Sequence, residues 1–159
     1  MGALADGEYT AFRTSDASGD DTTKSDDEDG VILPILTPGK TSTLRVITTN
    51  NTGGDAYLNA WIDFNGNGVM DDSGEQIANN LVVSTGIVAV SQNITVNVPV
   101  GAIVGQRGAR FRLTDLPSPG PIGDFGIGEV EDHLANILGT KDFGDYSSFS
   151  SASSTANAN

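Results

Sequence analysis

The sequence predicts an all-β fold, an antiparallel β-sandwich with long acidic loops, and three observations carry that prediction. Short runs of β-branched and aromatic residues alternate apolar and polar side chains with a period of two. Clusters of Gly, Asn, Asp and Pro separate those runs. No segment sustains the 3.6-residue apolar period of an amphipathic helix. A length of 159 residues suits one domain with a real core.

The strand candidates follow in order. Val31 to Leu36 is short, apolar and interrupted by Pro34, as at a sheet edge. Thr41 to Thr49 is rich in β-branched residues. In Ala56 to Asp63, alternation sets Leu58, Ala60 and Ile62 on one face and Tyr57 and Trp61 on the other. Ile87 to Val98 is the longest candidate, with Ile94, Val96 and Val98 alternating with Asn93, Thr95 and Asn97. Ala109, Phe111 and Leu113 share one face of the next run, leaving Arg110 and Arg112 on the other. Val130 to Leu138 is the last candidate. Residues 1–30 are polar and acidic and suit a metal-organised loop, and no internal repeat is visible. Residues 1–140 are expected to form the domain, with 141–159 as a Ser- and Ala-rich tail that serves as a linker or a docking strand.

Composition removes several function classes. The chain has no cysteine, so disulfides, thiol nucleophiles and thiolate metal sites are excluded. A single histidine excludes a multi-histidine metal centre within one chain. Acidic residues number 21 against 8 basic ones, a net charge of −13, which opposes nucleic-acid binding. No apolar run reaches the roughly 18 residues a membrane helix needs. Of the acids, 16 are Asp and 5 are Glu. Asp disfavours helix and suits turns and loops that hold hard cations. The acids also cluster, which costs energy unless a cation neutralises them.

The strongest motif is Asp63-Phe-Asn-Gly-Asn-Gly-Val-Met-Asp71-Asp-Ser-Gly-Glu75. Oxygen-bearing side chains at Asp63, Asn65 and Asn67, glycine at Gly68 and acid at Asp71 reproduce the first part of an EF-hand-type calcium loop. Alternate residues of such a loop point inward, and Val69 offers its carbonyl. The usual twelfth-position Glu is replaced by Gly74, and Glu75, one residue later, takes its place if the loop exits into a strand. The competing reading is an Asn-Gly hairpin turn. A second constellation sets Asp26, Asp27 and Asp29 beside a late acidic strand of Glu129, Glu131 and Asp132. An extended chain there puts Glu129 and Glu131 on one face and Asp132 on the other.

At this point the chain resembles the GEVED domain family, all-β modules of secreted and surface bacterial proteins. The name-giving stretch stands as Gly128-Glu-Val-Glu-Asp132. The other marks appear in order: Gly19-Asp-Asp21, Asp26 to Val31, Ala60 to Gly66, Gly74-Glu75 and Arg110-Phe-Arg112. The resemblance covers about residues 3–146 and implies calcium-stabilised sandwich modules of adhesins, stalks or matrix proteins, with no settled enzymatic activity. It implies metal roles for Asp63, Asn65, Asn67, Asp71 and Glu75, and a second acidic site from Asp26, Asp27, Asp29, Glu129, Glu131 and Asp132. Family modules commonly begin with a segment like Asp142-Phe-Gly-Asp-Tyr146, which here stands at the C-terminal side. The chain therefore looks like one repeat period cut out of phase.

The expected role is a non-enzymatic, calcium-rigidified repeat of an extracellular or cell-surface protein, with calcium replacing disulfides as the staple. Its expected partners are neighbouring repeats or other copies of itself. One rival is a filament subunit whose residues 141–159 complete the next copy. Another is a calcium-dependent glycan-binding adhesin that uses Trp61 and Tyr57 as a stacking platform. Glycosidase chemistry needs two carboxylates rather than dense clusters of them. His133, flanked by acids, reads as a structural hydrogen bonder, and Arg110 and Arg112 read as internal counter-charges. Asn50 and Asn93 head glycosylation sequons, which would stand idle in a bacterial protein.

Overall fold

The computed structural model describes residues 30–117, 119–123 and 128–140. Seven strands and no helix occur among the described residues. They are β1 (Val31–Ile32), β2 (Thr41–Asn50), β3 (Ala56–Ile62), β4 (Gln76–Val83), β5 (Gly86–Asn97), β6 (Gly105–Thr114) and β7 (Gly128–Ile137). Three of them form a sheet in the order β1-β2-β5, and four form a second sheet in the order β4-β3-β6-β7. Every pairing between these strands is antiparallel. Two such sheets packed around a shared core satisfy the expectation of a sandwich.

Period-two alternation fills the space between the sheets. Leu44 and Val46 from β2 and Ile94 and Val96 from β5 face Leu58, Ala60 and Ile62 from β3 and Ala109, Phe111 and Leu113 from β6. Leu36 closes one side of the sandwich. Its N–H donates to the Asn136 carbonyl at 2.9 Å, and its carbonyl accepts from Leu138 N–H at 2.9 Å, so it bridges to the β7 edge.

The four-stranded sheet is buried on its outer face as well. Strand register aligns Trp61, Arg110 and Asp132 in one outer row and Asn59, Arg112 and Val130 in the next. The sequence separated these residues from the core face correctly, but charge did not put the arginines in water. Arg110 is 1% exposed and Arg112 is 3% exposed. Arg110 Nη1 donates to the Pro121 carbonyl at 2.7 Å. Arg112 donates to the carbonyls of Gly120 at 3.1 Å and Gly123 at 2.9 Å. Residues 119–123 of the connection between β6 and β7 thus lie across the sheet, tied down by two guanidiniums.

Strand β4 had no counterpart among the sequence candidates. Its centre is polar, and its register with β3 slips between Leu58 and Ala60 and again between Ala60 and Trp61. Asn80 has a φ of 52°, and its N–H donates to buried Asn59 Oδ1 at 2.9 Å. Asn59 is thereby satisfied and the bulge is fixed, but the apolar alternation that marks a strand is broken.

Among the described residues, the chain enters and leaves this fold at opposite ends. Gly30 accepts from Ile47 N–H near the far end of β2, whereas Leu36 and Leu138 meet at the near end, where β2 starts. From Thr41 to Ile47 the rise is about 20 Å at roughly 3.3 Å per residue. The 63–75 loop lies at the exit end, since Ile62 pairs with Ala109 near the start of β6 and Gly105 pairs with Ile137.

Candidate metal loop

Residues 63–75 connect β3 to β4, and their geometry is set by Asp63. Its backbone N–H still follows the sheet, donating to the Gly108 carbonyl at 2.9 Å. The residue is 6% exposed, and its carboxylate turns into the loop. Oδ1 accepts from Gly66 N–H at 2.7 Å and Asn67 N–H at 3.2 Å, and Oδ2 accepts from Gly68 N–H at 2.8 Å. Three backbone donors converge on one carboxylate only because the chain reverses tightly. Gly66 and Gly68 provide that reversal at φ values of 69° and 78°.

The two asparagines continue the pattern. Asn65 Oδ1 accepts from Asn67 N–H at 2.9 Å, and Asn67 Oδ1 accepts from Val69 N–H at 2.7 Å. Both side-chain amides donate to Asp72 Oδ2 at 2.7 Å. These bonds, that from Asn65 foremost, hold the Asp72 carboxyl below the usual carboxylate range. Asp71, assigned to the ninth position by sequence, is exposed and makes no hydrogen bond with the described residues. Asp72, one residue on, takes both amide bonds. An Asp-Asp pair offers either acid, and spacing alone gave no reason to prefer the second.

Glu75 closes the loop. Its carbonyl accepts from Ile62 N–H at 2.9 Å, so it re-enters the sheet as anticipated. The side chain is 2% exposed; Oε1 accepts from Asn65 N–H at 3.3 Å, and Oε2 is buried with no hydrogen-bond partner. Burial raises the Glu75 carboxyl above its ordinary value, and the charges of Asp63 and Asp72 add to the rise against the Asn65 N–H. An ionised carboxylate in this position lacks a counter-charge, an expensive arrangement.

That orphaned oxygen is the observation against which a cation can be tested, and the residues fit one. Asp63, Asp72 and Glu75 supply hard carboxylate oxygens, and Asn65, Asn67 and the Val69 carbonyl supply neutral ones, a donor set suited to calcium. Among the described residues no three Asp, Glu or His side chains stand close enough to hold a metal by themselves. An ion here would draw on the amide and backbone oxygens as well. Bound, it would supply positive charge to the buried Glu75 carboxylate.

The late acidic strand is arranged differently. Glu129, Glu131 and Asp132 are all buried. Glu131 lies on the inner face with His133, whose Nε2 is 3.1 Å from Glu131 Oε2. The His133 ring meets Phe111 edge-on at 5.8 Å between centroids. Burial alone would raise the Glu131 carboxyl, but hydrogen bonding, that with His133 foremost, holds it below the usual range. Asp132 points to the outer face, as the alternation required, and is held by Arg110. Nε donates to Oδ1 at 2.7 Å, and Nη2 donates to Oδ2 in a second, parallel bond. Asp132 is therefore separated from Glu129 and Glu131 by the sheet itself and already has its counter-charge. Asp26, Asp27 and Asp29, the other members expected here, lie outside the described residues, as does the tail 141–159.

A family model, the GEVED domain, matches residues 57–136. The chain belongs to the GEVED domain family. The match runs from β3 through the Asp63–Glu75 loop to the end of β7, so it contains all four strands of the larger sheet. No curated protein matches the chain. Within the GEVED stretch itself, Gly128 has a steric role: a Cβ there would sit 2.2 Å from the Leu113 carbonyl oxygen. Trp61 and Asn50, two residues with rival assignments, are both internal. Trp61 is 3% exposed, which leaves no face for a stacked sugar. Asn50 Nδ2 donates to the carbonyls of Val83 at 2.7 Å and Gly54 at 2.8 Å, so its amide serves the fold.

Proposed function

We propose that this GEVED domain is a non-enzymatic structural module of an extracellular or surface-exposed bacterial protein, stiffened by calcium in the Asp63–Glu75 loop. The single observation that carries the reading is the buried, partnerless Glu75 Oε2 beside Asp63 and Asp72. With no cysteine in the chain, a cation is the remaining strong cross-link. It would tie the end of β3 to the start of β4 at the end where the chain exits.

The buried Trp61 disfavours the glycan-stacking alternative. Isothermal titration of the chelator-treated protein with calcium tests the reading. Extracellular modules bind calcium at roughly 10⁻⁴–10⁻³ M, and heat of that affinity, lost in a Glu75→Gln, Asp63→Asn double variant, is the expected result. No binding at millimolar calcium would overturn it.

A further inference from the structure

From Gln76 to Gln106 the chain carries no charged residue, in a molecule whose net charge is −13. The fold turns that neutral stretch into β4 and β5, the edge strands of the two sheets, joined by a short turn and lying on one flank. The flank also exposes apolar side chains: Val82 is 50% exposed, Val88 72% and Val90 47%.

The four sheet edges are not equivalent. β1 is two residues long and followed closely by Pro34. The β7 edge is bridged by Leu36. β4 is bent by two register shifts and by Asn80 in the left-handed region. These are the usual protections of an edge. β5 has none of them along Val90–Asn97, where its pairing with β2 runs from Thr48↔Val90 to Thr41↔Asn97 without a bulge. The direction of its backbone groups follows from the neighbouring bonds. Ile47 N–H points to β1, and Val98 N–H donates to the Lys40 carbonyl on the β2 side. Successive residues alternate sides, so Ser91, Asn93 and Thr95 direct N–H and C=O away from β2, where no described residue pairs with them. Such a row is a template for another strand.

We propose that β5 pairs antiparallel with β5 of a second copy, joining two three-stranded sheets across a two-fold axis. The second copy is the occupant favoured by charge. Two strongly acidic molecules repel wherever their carboxylates meet, and this neutral, valine-bearing flank lets them approach without opposing like charges. The proposal uses no residue of the 63–75 loop, so it stands or falls apart from calcium.

Sedimentation velocity of the full chain across a concentration series provides the test, with Ser91→Lys as the variant. Ser91 is exposed, so the lysine leaves the core untouched, and placing lysines near one another across the axis is expected to raise the dimer dissociation constant at least about tenfold. Because the chain has no cysteine, single Ser91→Cys, Asn93→Cys and Thr95→Cys variants give a second readout. At least one of them should form a disulfide-linked dimer about tenfold faster than Thr43→Cys, on the interior strand β2. A wild type monomeric at every concentration would overturn the proposal. So would a dimer indifferent to Ser91→Lys, or one lost only on deletion of residues 141–159, which would make the tail the occupant.

Discussion

Replacing Asp132 with asparagine leaves the Arg110 guanidinium, 1% exposed, with no carboxylate to answer its charge. Its remaining bond among the described residues, to the Pro121 carbonyl at 2.7 Å, is to a neutral acceptor. Removing one member of a buried pair typically costs about 3–5 kcal/mol, because the other is stranded in a poorly solvated place. Arg110→Met should cost a similar amount plus about 1 kcal/mol for the lost carbonyl bond. In a domain of this size such losses lower the melting temperature by roughly 10–20 °C. The double variant Arg110→Met, Asp132→Leu removes both charges and fills the space with apolar groups, so it should recover most of the loss. The assay is equilibrium urea denaturation at fixed calcium, followed by Trp61 fluorescence, with the double-mutant cycle completed. Single variants that cost less than about 1 kcal/mol would mean the pair behaves as a surface ion pair, and the assignment of Asp132 to the fold would be wrong.

Three further outcomes are expected. Gly128→Ala should destabilise by on the order of 1–3 kcal/mol or prevent folding, because its Cβ would meet the Leu113 carbonyl oxygen; urea titration reads it, and an unchanged midpoint would contradict the packing. In calcium-free solution Glu75→Gln should be more stable than wild type at neutral pH. The raised Glu75 carboxyl gives wild type a contribution that is fully present below its unfolded value and lost as pH rises through the folded one, so the gap between the two should close in acid. Melting curves across pH check this, and a gap that widens in acid would reverse the sign. Trp61 should emit as a buried indole and resist acrylamide quenching, with or without added sugars; ready quenching would contradict its burial.

Most of the fold was legible in the sequence because most strands bury one face, and a period of two is visible wherever that holds. Leu58, Ala60 and Ile62, or Ile94, Val96 and Val98, announce their face without any partner in view. β4 was not legible. Asn79 and Asn80 interrupt its alternation, and the compensation for Asn80 comes from Asn59 on another strand, a tertiary fact. The burial of Arg110 and Arg112 was hidden for a similar reason. Alternation gives the face of a residue, but only the path of residues 119–123 across the sheet decides whether that face meets water. At the loop, spacing identified Asp63, Asn65, Asn67 and Glu75 as one group, and the structure joins them through hydrogen bonds. That the two amides bond Asp72 and not Asp71 depends on the direction of a side chain after a turn, which spacing does not encode.

The central claim is that the Asp63–Glu75 loop carries a calcium ion that stabilises the folded domain. Its most direct measurement is the melting temperature of the chelator-treated protein with and without about 1 mM calcium, with magnesium as the control. A site with a dissociation constant near 10⁻⁴ M contributes roughly 1.4 kcal/mol at that concentration, equivalent to a rise of roughly 4–10 °C. The account predicts that rise with calcium, its near absence with magnesium, and its loss in Glu75→Gln. A melting curve identical in excess chelator and in calcium would contradict it.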